Sequence, residues 1–101
     1  MTDDPLAHWR DQIDDIDGQM VALLAKRFKI TSEVGRWKAE NAVPPVDPDR
    51  ERRQVERLQT LASETGLSPD FLERFLRIII DEVVSHHRAI REEDFEAPSP
   101  L

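Results

Sequence analysis

The stretch that decides the fold is Leu6 to Ala39, LAHWRDQIDDIDGQMVALLAKRFKITSEVGRWKA. Its apolar positions advance by three and four: Leu6, Trp9, Ile13, Ile16, Met20, Leu23, then Ile30, Val34 and Trp37, with Arg27 where another apolar side chain is expected. That spacing is one stripe of an α-helix, close to a heptad seam. No Pro falls between Leu6 and Val43, and only Gly18 and Gly35 interrupt the helix formers. A helix of about 34 residues is about 50 Å long, whereas a globule of about 100 residues has a radius of gyration of only about 13 Å. One chain of this size cannot wrap such a helix, so the stripe calls for a second copy.

Downstream, Asn41-Ala-Val-Pro-Pro-Val46 breaks the helix, because each Pro lacks a donor and biases its predecessor away from helical angles. Asp47-Pro48 then reads as an N-cap followed by Pro at the first helical position. The second helix carries Val55, Leu58, Leu61 and Ala62 and is expected to end at Gly66. Ser68-Pro69-Asp70 repeats the start signal, and Leu72, Phe75, Leu76, Ile79, Ile80, Val83, Val84 and Ile90 form a third amphipathic helix. The expectation is an all-α protein of three helices per protomer, one domain over residues 1–101, with an ordered core from about 6 to 91 and a frayed tail from Glu92 to Leu101.

Composition agrees and narrows the function. In 101 residues, 35 % are charged, 39 % hydrophobic and only 3 are Gly, a balance that favours helix. So short a chain buries only about 60 to 65 % of its unfolded surface, and association adds stability. A net charge of −7 with no basic cluster argues against nucleic acid as a partner. Without Cys there is neither a disulfide framework nor a thiolate metal site. The acidic start MTDDPLAHWRDQ lacks the pattern of a signal peptide and no run approaches about 18 apolar residues, so a soluble, cytoplasmic protein without a membrane span is expected.

Few residues here carry chemistry. Arg27 on the seam has two readings: it snorkels or pairs with an acidic group of a partner helix, or it awaits an anionic ligand. Arg10 flanks the stripe near one end and Lys38 follows Val34 by four residues near the other; each alone is an ordinary surface cation, but two antiparallel copies would bring cations from both chains into one pocket. Asp47 and Glu51 share a face at the start of the second helix with Arg50 between them, either as cap and dipole partners or as a polar site. His87 ends the apolar face Leu76, Ile80, Val83, either as a core or interface histidine or as a hydrogen-bond donor. His86 points about 100° away around the helix, so the two make a poor metal pair, and no metal is expected. No nucleophile motif or phosphate loop is present.

At these positions the sequence resembles the all-helical chorismate mutases, the AroQ class. The likeness runs from about Leu6 to Arg91 and includes LAHWRDQIDDIDGQMVALLAKR, EVGRWKAE, DPDRERRQVERL and the apolar third helix. It implies a protomer that intertwines with its twin into a six-helix homodimer with two shared pockets. It also implies an intramolecular Claisen rearrangement of chorismate to prephenate, on the way to phenylalanine and tyrosine, with no cofactor. Some small members of the class need a partner enzyme for full activity, and the resemblance leaves room for one.

The roles implied are specific. Arg27 and the Arg10 of the second chain would hold the two carboxylates, Lys38 would stabilise charge on the breaking ether oxygen, and Asp47 (through its backbone) and Glu51 would hold the ring hydroxyl with Arg50 in support. The second donor to the ether oxygen is typically Gln or Glu in the family; gapless alignment places His87 there, and Val83 where a small hydroxyl residue stands. The first departure makes His87 a substitute donor, and the second removes one contact to a carboxylate. Rival readings are an isochorismate-pyruvate lyase, which lacks the acidic pair, a 4-amino-4-deoxychorismate mutase, and, from another class, a non-catalytic helical dimerisation or regulatory module.

Overall fold

A computed structural model describes residues 4–96. It contains three helices, α1 (Pro5–Glu40), α2 (Pro48–Thr65) and α3 (Pro69–Glu96), and no strand among the described residues. All three begin with the same device, a cap residue followed by Pro. The Asp4 carboxylate accepts from the Leu6 N–H at 3.0 Å, Asp47 from Arg50 N–H at 3.1 Å, and the Ser68 hydroxyl from Phe71 N–H at 3.2 Å. Each cap satisfies one of the donors a helix start leaves orphaned, and the Pro that follows has none to lose.

The helix ends are set as locally. Gly66 at φ 81 closes α2, its N–H turned back to the Ala62 carbonyl. α1 closes without a glycine. Ala42 takes the left-handed conformation at φ 55, while Val43 N–H donates to the Lys38 carbonyl at 2.8 Å and the Asn41 side chain to the Trp37 carbonyl at 2.8 Å. α3 runs to Glu96, beyond the end expected near Arg91. Arg91, Glu92 and Glu93 are good helix formers, and no breaker arrives before Pro98, so the apolar pattern stops before the helix does. The remainder of the expected tail, residues 97–101, lies outside the described residues.

The chain divides into two units, Met1–Thr31 and Ser32–Leu101. In the first, the α1 stripe lies open: Leu6, Trp9, Ile13, Ile16, Met20, Leu23 and Ile30 are between 44 % and 67 % exposed. Gly35 is the one buried residue that α1 contributes.

In the second unit, α2 and α3 pack as an antiparallel hairpin around Val55, Leu76 and Ile80, with Leu58 and Val84 against them. The Gln59 amide donates to Glu73 at 3.3 Å and Glu51 pairs with Arg77 at 3.6 Å, so residues earlier on α2 face residues later on α3. No helix of the described residues is long and apolar enough to cross a membrane.

Candidate functional site

Of the expected site residues the second unit contains Lys38 near the end of α1, Asp47, Arg50 and Glu51 at the start of α2, and Val83 and His87 on α3. Lys38 is half-buried, and its ammonium donates to the Pro45 carbonyl at 3.5 Å. The Pro-Pro turn that ends α1 thus holds the lysine head group beside the loop that leads into α2.

Asp47 is exposed; its carboxylate is engaged as the α2 cap and its carbonyl accepts from Glu51 N–H at 3.0 Å. Arg50 is exposed, one turn along. Glu51 is half-buried, with its carboxylate 3.6 Å from the guanidinium of Arg77. Val83 is half-buried beside Val84.

His87 is buried, at 4 % exposure, and its ring lies against Gly35. A β-carbon at position 35 would overlap the ring edge and stand 3.0 Å from Nε2. The absence of a side chain at Gly35 is therefore what allows the end of α1 to close on the His87 imidazole. His86, on the neighbouring face, is bonded to Glu82 at 2.9 Å.

An open cleft of about 650 Å³ lies on another side of α3, lined by Val46, Glu51, Asp81, Val84, Ser85 and Arg88 among others. Of the expected site residues it contains Glu51 alone. Glu51, Asp81 and Glu92 set three carboxylates there against the one guanidinium of Arg88, the wrong balance for an anion.

The first unit carries the remaining two cations. Arg10 is exposed; Arg27 is half-buried, and its Nη1 is buried with no hydrogen-bond partner among the described residues. A guanidinium nitrogen in that state suits an arriving carboxylate, which Arg grips through paired N–H bonds. Seventeen residues of helix separate Arg10 from Arg27, roughly 25 Å at 1.5 Å per residue. No small molecule can be held by both within a single chain.

Three contributors escape a reading of the sequence. Gly35 is visible there only as an interruption of helix formers; its partner is 52 residues away in His87. Arg77 shows no signal until α3 is laid against α2. Gln54 is one polar residue among many on a charged helix, and only burial distinguishes it: its amide oxygen is buried without a partner.

An antiparallel helical hairpin preceded by a long helix with an exposed apolar stripe and spaced cations defines the class, an all-helical domain. The family model for chorismate mutase type II matches residues 9–88, and the chain belongs to that family. It is a family of isomerases. Among its relatives is the bifunctional chorismate mutase/prephenate dehydratase of Escherichia coli strain K12, 32 % identical over 99 residues that cover 98 % of this chain and 26 % of that protein. Others are the T-protein of Enterobacter agglomerans, 37 % identical over 72 % of this chain and 20 % of its own length, and the bifunctional protein of Buchnera aphidicola subsp. Schizaphis graminum, 34 % identical over 78 % and 20 %. The chain thus spans a fifth to a quarter of the length of these curated relatives.

Proposed function

We propose that this protein is a chorismate mutase of phenylalanine and tyrosine biosynthesis, acting in the cytoplasm as an intertwined homodimer whose two sites are each built from both chains. The observation that carries this reading is the spacing of the two guanidinium groups on α1. Arg27 has a buried nitrogen awaiting an acceptor, and the Arg10 of the same chain is too far along the helix to share its ligand. The exposed stripe from Leu6 to Ile30 supplies the surface on which a second copy packs and brings in the missing arginine.

Chorismate carries two carboxylates, and the two arginines neutralise and orient them. Held so, the enolpyruvyl side chain lies over the ring with the carbons that will bond close together. Positioning alone removes several kcal/mol of barrier from such an intramolecular reaction.

As the ether carbon–oxygen bond lengthens and the new carbon–carbon bond forms, negative charge grows on the ether oxygen. Lys38 and His87, fixed by the Pro45 carbonyl and by Gly35, donate to that oxygen from two sides. Their contribution is larger in the transition state than in the bound substrate, which is what raises the rate. Glu51 and the Asp47 backbone hold the ring hydroxyl, with Arg50 at the rim, and Val83 offers apolar contact only. No proton transfer, nucleophile or cofactor enters the scheme. A partner enzyme that tightens the site is compatible with it.

The test is to follow the absorbance of chorismate on mixing with purified protein and to identify the product. Prephenate supports the mutase. Salicylate and pyruvate from isochorismate indicate the lyase instead, and a stable dimer without turnover indicates a module that keeps the scaffold alone.

A further inference from the structure

Gln54 stands on the α2 face that this reading uses, yet no role in it falls to Gln54. It follows Glu51 by three residues and Asp47 by seven, so the three project from one side of the helix in successive turns. The flanking positions are apolar where they meet α3: Val55 and Leu58 pack with Leu76, Ile80 and Val84. The other glutamine of α2, Gln59, is satisfied by Glu73. Gln54 is not, because its amide oxygen is buried and has no hydrogen-bond partner among the described residues. Leaving a buried acceptor without a donor costs the hydration it gave up, and a leucine here would avoid that cost. An acceptor kept in that condition beside Glu51 is suited to a donor that arrives with a ligand.

We propose that Gln54 is a substrate-contacting specificity residue whose amide oxygen shares the single proton of the chorismate ring hydroxyl with the Glu51 carboxylate, in a three-centre hydrogen bond. The proposal rests on the mutase reading above. It makes the site select for a ring that bears a donor at that carbon, since an analogue without one leaves the amide oxygen unpaired in the complex as well.

Gln54→Leu preserves volume and removes the amide. Steady-state kinetics of wild type and variant on chorismate, and on the analogue with hydrogen in place of the ring hydroxyl, separate the contact from general damage, with ligand-free melting temperature as the control. For chorismate the KM of the variant is expected to rise about tenfold with kcat within about twofold, the scale of one buried hydrogen bond. For the deoxy analogue KM is expected to be unchanged, and the ligand-free melting temperature to rise. An unchanged KM for chorismate, or an equal rise for both compounds, overturns the assignment of Gln54 while leaving the mutase intact. A wild-type protein that does not turn over chorismate overturns both.

Discussion

The imidazole of His87 rests directly on the backbone of Gly35, close enough that any side chain at position 35 would occupy the same space. Two helices from opposite ends of the second unit are thereby brought together at the residue assigned to the ether oxygen. In an exposed helix, Gly→Ala stabilises by about 1 kcal/mol. Here the sign is expected to reverse, because overpacking of a buried ring costs about 1 to 3 kcal/mol. Gly35→Ala should lower both the melting temperature and kcat; a variant more stable than wild type with undiminished kcat would show that the ring has room to spare.

His87 itself is separable from its packing. His87→Ala should reduce kcat by about 10²- to 10³-fold, as removal of a single donor to a developing oxyanion does. His87→Gln keeps an N–H donor at similar reach and should recover most of that loss. Equal activity of the Ala and Gln variants would mean that the ring only fills space.

Ala42 carries the left-handed turn that ends α1, at φ 55, where a residue with a β-carbon is disfavoured. Ala42→Gly should stabilise the fold by about 0.5 to 1 kcal/mol, the strain relieved less the extra entropy of Gly in the unfolded chain. Thermal unfolding is expected to shift upward by about 2 to 8 °C for a domain of this size, with kcat unchanged. A downward shift would contradict this.

The Arg77 guanidinium, 48 % exposed, pairs with Glu51 at 3.6 Å. A pair this open to solvent adds at most about 1 kcal/mol to stability, so Arg77→Met should leave the melting temperature nearly unchanged. Its effect should fall on substrate binding, because Glu51 loses the group that holds its carboxylate in place. A rise in KM of about threefold, shrinking at high salt where the pair is already screened, is expected from kinetics at two ionic strengths.

What could be read before folding was whatever is encoded locally. Asp47-Pro48 and Ser68-Pro69 marked helix starts and Gly66 a helix end because caps act within four residues of chain. The Leu6–Trp37 stripe gave α1 because periodicity needs only one helix. The same cap signal stands at Asp4-Pro5, one step before the apolar pattern begins at Leu6, and α1 starts there. The continuation of α3 to Glu96 was hidden because its last residues are helix formers without apolar rhythm. Gly35, Gln54 and Arg77 depend on which faces meet, and no local rule ranks one glycine or one arginine above another. The roles proposed for Arg10, Arg27, Lys38, Asp47, Arg50, Glu51, Val83 and His87 are implied by family likeness and not by any local rule, because they concern a pocket proposed to form between two chains.

Whether each site is assembled from two chains is tested most directly by complementation. Arg10→Ala and Arg27→Ala are each expected to be inactive as homodimers. When the two are co-produced with different tags and the mixed dimer is isolated, one of its sites lacks both arginines and the other has both. About half the wild-type activity per dimer is then expected, since two-fold symmetry gives two equivalent sites and one is intact. A mixed dimer no more active than its parents, or two variants that never associate, would contradict a site shared between chains.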